Sequence, residues 1–254
     1  MTPNFDTAPV AVIGGTALAD LAGLECVRDH SVDTPYGAPS GPLRHGVLGD
    51  RKVVFLFRHG PGHRIAPHAI NYRANIHALA DAGAKAVIAT AAVGGIGRDM
   101  HPGRLVIPHQ IIDYSWGRAH SFGGDAGGAA RHIDFTEPYD AGLRRALLEA
   151  AAAEGIAAAP AGVHGITQGP RLETAAEIER LARDGCDLVG MTGMPEAALA
   201  REAGLAYACC AVVVNRAAGR GDRPIHGEIE QHLARGMATL GRLLARVLPG
   251  LQAA

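Results

Sequence analysis

Apolar residues in this chain fall into short runs of strand length, and most hand over at once to a glycine turn, a polar loop or a helix-period stretch. Val10 to Ile13 is the first run, ending in Gly14-Gly15-Thr16 ahead of the helix-period ALADLAGL. Leu43 to Phe57 reads as two alternating runs about a Gly49-Asp50 turn, the second ending in Arg58-His59-Gly60. Asn71 to Gly83 predicts a helix closed by glycine, and Lys85 to Ala89 a strand that ends in TAAVGG from Thr90. Leu105 to Ile112 is another strand candidate, and the glycine-rich stretch Ser121 to Ala130 reads as a mobile excursion. Helices are predicted over Asp140 to Gly155, Glu173 to Gly185, Pro195 to Gly204 and Glu228 to Val247.

Between those helices stand three more strand-like runs, in VHGITQGPRLET, DLVGMTGMPEAALAREAG and LAYACCAVVVN. Strands alternating with helices predict an α/β fold, one domain over 1–254 with a central mixed, mostly parallel sheet flanked by helices. Ligands in such sheets gather at the carboxyl ends of the strands. The residues there, Gln168, Arg171, Met191, Thr192 and Asn215, become the first candidates, beside Thr16, Arg58, His59 and Thr90 from the earlier runs.

Composition narrows the chemistry. With a formal net charge of -1 and 4% aromatics there is no basic surface for nucleic acid and no polybasic membrane anchor, which leaves small-molecule chemistry. No cationic leader precedes an apolar run, and Leu205 to Val214, the longest uncharged apolar stretch, is too short to span a bilayer, so a cytoplasmic protein is expected. Cys26, Cys186, Cys209 and Cys210 form no C-x-x-C and read as buried thiols. The histidines lack metal-type spacing, and GGTALA lacks the third glycine of a dinucleotide fingerprint. Neither a metal nor an organic cofactor is expected.

The strand-end set, Thr16, Arg58, His59, Thr90 and Thr192, offers hydroxyl donors, one fixed cation and one imidazole. Arginine presents a bidentate fork to phosphate oxygens, and threonines with backbone N–H groups fill the remaining lone pairs. Inorganic phosphate acting as a nucleophile is the leading idea. The loop RAAGRGDRPIHG carries Arg216, Arg220 and Arg223, and reads either as a solvated loop or as a lid over an anionic ligand.

IGGT, FRHG, NYRANI, TAAVGGI, QGPRLET, VGMTGMPEAALAREAG and AVVVN, in that order, resemble the 5'-methylthioadenosine phosphorylase branch of the trimeric purine nucleoside phosphorylases. The resemblance implies a nucleoside phosphorylase-like fold and phosphorolysis of a purine nucleoside in purine salvage, by a homotrimer with phosphate as co-substrate. It puts the phosphate on Thr16, Arg58, His59, Thr90, the Ala91 backbone and Thr192, and the nucleoside on Met191, Leu172, Asn215, Ala217, His63 and His132. Asn215 and His59 would be the catalytic pair. His132 would serve a neighbouring subunit's site, and Met191 would lie under the ribose.

Three departures from the family pattern bear on the substrate. Adenosine-type members carry aspartate where this chain has Asn215, and again where it has Ala217. An asparagine amide donates to a 6-oxo group, whereas an aspartate there would pair acceptor with acceptor. The aromatic residue that follows QGPR is replaced by Leu172. Resemblance and asparagine together imply a 6-oxopurine 5'-methylthionucleoside, with Leu233 or Met237 of the closing helix as candidates for an apolar 5' pocket. The rival readings are a general inosine and guanosine phosphorylase using His63, His132 or His226 at a 5'-hydroxyl, a methylthioadenosine phosphorylase, an NAD-dependent dehydrogenase, and a non-catalytic nucleoside-binding module.

Overall fold

In the computed structural model the described residues are 8–15, 23–123 and 131–251. In chain order they form β1 (Val10–Gly14), β2 (Glu25–His30), β3 (Leu43–Leu48), β4 (Arg51–Phe57), α1 (Tyr72–Asp81), β5 (Ala86–Gly95), β6 (Leu105–Val106), β7 (Gln110–Asp113), α2 (Ala141–Ala153), β8 (Ala158–Ala159), β9 (Val163–Ile166), α3 (Ala175–Arg183), β10 (Leu188–Gly190), α4 (Gly193–Glu202), β11 (Ala206–Arg216) and α5 (Ile225–Gly250). Thr16 and the helix expected after it lie outside the described residues, as does the 124–130 part of the glycine-rich stretch.

All eleven strands join one mixed sheet, in the order β2-β3-β4-β1-β5-β10-β9-β7, with β11 beside β5 and β6, and β8 beside β6. β1 lies parallel between β4 and β5, and β11 is parallel to β5 over nearly its whole length. The inner strands are apolar on both faces because both faces are covered. Ile13, Leu56, Ala89, Cys209 and Val213 pack with residues of α1 and α4 in one core, while Val12, Phe55, Ile88, Cys210 and Val212 pack with residues of α2 and α5 in the other. The three described thiols, Cys186, Cys209 and Cys210, are buried, as expected.

Several boundaries differ from the sequence reading for identifiable reasons. β5 runs on to Gly95, since the small residues after Thr90 still pair with β11 and then with β10. The single strand expected over Leu105 to Ile112 is two, β6 and β7, broken around Pro108, which has no N–H for a ladder. β2 has almost no hydrophobic signature, its sequence being ECVRDH, and it pairs on one side only, with β3. α3 begins at Ala175, not Glu173, because Thr174 caps it in a reciprocal capping box with Glu177. Glu173 is thereby left outside the helix.

Candidate active site

Register brings the first three polar strand ends to one point. Ile13 pairs with both Leu56 and Ala89, so Gly15, Arg58 and Thr90 emerge together at the carboxyl edge. The Thr90 hydroxyl donates to Ile13 O at 3.2 Å and accepts from Gly15 N at 2.8 Å. A Cβ on Gly15 would lie 2.7 Å from Thr90 O and 3.0 Å from Arg58 Nη1, so only glycine fits between them.

A cavity of about 450 Å³ opens at this edge, lined by Gly15, Arg58, His59, His63, Ala91, Gly94, Leu172, Glu173, Met191, Thr192, Asn215, Ala217 and Leu233, among others. A bulge in β11 between Val213 and Asn215 shifts the register against β5, and both Val214 and Asn215 line the cavity. Bulges beside sites re-aim side chains in this way. The Asn215 amide donates to Arg216 O at 2.7 Å, which leaves one N–H and the carbonyl oxygen for a ligand. Ala91 and Thr192 are buried in the wall, and Leu172 is 37% exposed.

Arg58 is placed differently from the simple expectation of a fork held out to phosphate. Its Nε and Nη2 donate to Glu196 at 2.6 and 2.7 Å, and its Nη1 to Thr90 O at 2.7 Å. Both partners are buried, and Tyr207 adds a third donor to Glu196 at 2.8 Å. Burial opposes the guanidinium's charge, yet Glu196 holds its pKa above the ordinary value. The fork is therefore committed to a carboxylate, and two N–H groups remain for a ligand. Glu196 stands in the first turn of α4, and its counter-ion role depends on the fold that brings it to Arg58.

His59 donates from Nδ1 to Ile65 O at 2.8 Å, which fixes the tautomer and leaves Nε2 an acceptor. Burial, then the Arg58 charge, lowers its pKa to about 4. A neutral His59 can accept a proton-bearing phosphate oxygen's hydrogen bond. The His63 ring lies tilted against it with ring centroids 4.2 Å apart, and burial lowers its pKa too. Deeper in the wall, His164 meets Tyr139 OH at 3.3 Å and is likewise held at about 4 by burial and Arg58.

These two histidines make a testable demand on stability. Between about pH 4 and the unfolded value near 6.5 the folded state binds fewer protons than the unfolded chain. Their contribution is full above about pH 6.5 and drains as pH falls towards 4, on the order of 3 kcal/mol for each. Urea unfolding from pH 5 to 8 should show stability rising with pH, and His164→Phe should flatten that slope by about one proton. An unchanged slope in the variant would contradict the buried neutral imidazole.

Other candidates fall elsewhere. Arg171 is bound to Glu177 at 2.7 and 2.8 Å on the surface, and the Gln168 carbonyl oxygen accepts from Trp116 N at 3.1 Å; neither lines the cavity. His132 and His226 are exposed and are not among the lining residues. Of the two closing-helix candidates, Leu233 lines the cavity and Met237 is core. Arg216 is a staple, donating to Gly97 O, Met100 O and Arg98 O, while Arg220 pairs with Glu179 at 3.1 Å. Their guanidinium groups are thus committed away from the cavity, while Ala217 and Ala218 of the same segment line it.

Glu173 was missed. It is among the residues that line the cavity, and its carboxylate accepts from Thr167 Oγ1 at 2.5 Å. The Thr174–Glu177 capping box was the available signal, since it ends the helix one residue short of Glu173. Among the described residues no group of three or more His, Cys, Asp or Glu is gathered to hold a metal, and no helix is long and apolar enough to cross a membrane.

The model of the phosphorylase superfamily matches residues 9–249. The chain belongs to that superfamily. Relatives within it include a Pseudomonas syringae pv. tomato protein named "Probable S-methyl-5'-thioinosine phosphorylase", 55% identical over 239 residues, covering 94% of this chain and 97% of that one. The 6-oxopurine nucleoside phosphorylase of Pyrococcus furiosus is 43% identical over 246 residues, covering 94% and 92%. Among solved structures, the methylthioadenosine phosphorylase of Schistosoma mansoni in complex with tubercidin superposes with a TM-score of 0.90 at 31% identity, over 96% of this chain and 92% of that one. The nucleoside phosphorylase-like fold expected from the motif order is thus the observed one.

Proposed function

We propose that this phosphorylase cleaves a 6-oxopurine 5'-methylthionucleoside, S-methyl-5'-thioinosine in the first instance, giving hypoxanthine and 5-methylthioribose 1-phosphate. A phosphate oxygen forms a bond to C1' as the C1'–N9 bond breaks, and the electron pair of that bond passes into the purine, which takes up a proton. Positive charge develops on the sugar and negative charge on the base, so the site needs an anion beneath one and a donor at the other. Phosphate supplies the first, held by the free N–H groups of Arg58, by His59 Nε2, by the Thr192 hydroxyl, by the Ala91 backbone and by Thr16, while Thr90, whose hydroxyl donates to Ile13 O and which does not line the cavity, holds Gly15 in place behind them. Asn215 supplies the second.

The observation that carries the substrate reading is the presence of Asn215 and Glu173 in one cavity. A 6-oxopurine offers an acceptor at O6 and N7 and a donor at N1–H, which the amide N–H and the carboxylate complement. Adenine reverses N1 to an acceptor and would face a carboxylate with it. The names of the relatives agree with the 6-oxo preference. Leu233, with Ile225 and Ile229 beside it, gives the cavity an apolar end that suits a methylthio group. Met191 would floor the ribose, and Leu172 and Ala217 would flank the base. His63 would stand near the 5' end. An exposed His132 suits a role in a second copy's site within a trimer.

Phosphate-dependent release of base from methylthioinosine, methylthioadenosine, inosine and adenosine tests the reading through kcat/KM. Methylthioinosine should lead, and inosine should trail by about 10- to 100-fold, the range that one apolar group in a fitted pocket commands. Equal rates for inosine would make this a general 6-oxopurine phosphorylase. A lead for methylthioadenosine would overturn the argument from Asn215 and Glu173.

A further inference from the structure

Arg118 lies outside the cavity wall, yet its guanidinium ties together the loops that make it. Nη1 donates to Met191 O at 2.9 Å, to Met194 O, and to Tyr72 OH at 3.3 Å. Nη2 donates to Gln168 O at 2.8 Å and Thr167 O at 3.3 Å. The planar group also sits over the Tyr72 ring, 5.4 Å from its centroid. One side chain thus joins the end of β9, the end of β10, the start of α4 and the start of α1.

The bond to Met191 O has a directional consequence. A trans peptide is planar, with the carbonyl and the following N–H pointing in opposite directions. Holding the Met191 carbonyl out towards Arg118 turns the Thr192 N–H the other way, and both Met191 and Thr192 line the cavity while Arg118 does not. No acceptor among the described residues takes the Thr192 N–H. At Met194 the next residue is Pro195, which has no N–H, and Gln168 and Gly169, which follow the other two held carbonyls, do not line the cavity, so only the 191–192 peptide presents a cavity-side donor in this way.

We propose that Arg118 is a positioning residue that presets the Thr192 amide as an anion donor, acting on phosphate through the 191–192 peptide plane. This rests on the reading of the cavity as a phosphorolysis site. A donor fixed before the anion arrives needs no reorganisation when charge develops, whereas a peptide free to rotate can offer its carbonyl to the anion instead. Lysine is no substitute, since a single ammonium lacks the planar fork that spans both loops.

The test uses wild-type protein, Arg118→Lys and Arg118→Ala. In both variants KM for phosphate should rise by about 10- to 100-fold, the range for a hydrogen bond to a charged group. The Kd of a nucleoside measured by calorimetry without phosphate should stay within about threefold, less than the tenfold that 1.4 kcal/mol would give. Methylguanidinium should restore phosphate KM to folded Arg118→Ala, which a loss of packing alone would not allow. Wild-type phosphate KM in either variant, or equal loss of both substrates without rescue, would overturn the proposal. Should neither variant fold, the Thr192 amide resonance of the wild-type protein decides, since it should shift on adding inorganic phosphate and a fixed resonance is the contrary result. If wild-type protein releases no base from any nucleoside, the phosphorolysis reading fails, while the amide response still tests Arg118.

Discussion

Asn215→Asp should lower kcat/KM for methylthioinosine by about 10²- to 10³-fold, the loss that follows removal of one donor to developing charge in an enclosed site. The change is nearly isosteric, so the cavity keeps its shape and the bulge in β11 still points the side chain inward. What changes is polarity. A carboxylate accepts only, and it would meet O6 and N7 of the leaving base, both of which need donors as the electron pair arrives. The existing bond from Asn215 Nδ2 to Arg216 O would also be lost, bringing the carboxylate against a carbonyl. A gain for 6-amino substrates should be small, because Glu173 still opposes N1 of adenine. Asn215→Asp combined with Glu173→Gln removes both conflicts and should be the pair that moves preference towards methylthioadenosine. Steady-state kinetics on both nucleosides checks this, and a single variant within about threefold of wild type on methylthioinosine, well inside the tenfold of 1.4 kcal/mol, would remove Asn215 from the base site.

How far the sequence carried the reading depends on whether each feature is local. Strand ends are local, so Arg58, His59, Thr90, Met191, Thr192 and Asn215 could be picked from runs followed by polar residues, and the sheet, parallel across β4, β1, β5 and β11 and antiparallel between β5 and β10, then gathered them. β2 was invisible because a strand paired on one side and rich in charge carries no alternation worth reading. Arg171 and Gln168 misled for the opposite reason: they sit at a strand end, but a neighbouring glutamate and the Trp116 amide claim them. Glu173 reads as the first residue of a helix in the sequence, but the cap of that helix lies one residue later, at Thr174. Glu196 and Arg118 act over separations of 138 and 73 residues to their partners Arg58 and Met191, and no periodicity encodes such pairs.

Glu196 carries the second large expectation, in stability. Glu196→Leu would leave the Arg58 guanidinium fully buried with Thr90 O as its remaining protein acceptor, and it should destabilise the fold by about 3–5 kcal/mol. Against a typical total of roughly 5–15 kcal/mol, that is enough to unfold much of the population under mild stress. Arg58→Met should be comparable, since it strands a buried carboxylate whose remaining partner is Tyr207 OH. Removing both charges is a different experiment. Arg58→Met with Glu196→Leu takes away the desolvation of each ion together with their attraction, and a buried pair replaced by packed apolar groups is often neutral or better. The double variant should therefore regain most of the lost stability, with a coupling energy of several kcal/mol in the cycle of urea midpoints. Phosphorolysis should not return with it. The two N–H groups that Arg58 has left over, on which the proposed anion site depends, are gone in the double variant, so stability and activity should part company there. A double variant as unstable as the sum of the singles would mean that the pair is not the unit the geometry indicates. One that is stable and fully active would mean that phosphate does not depend on Arg58.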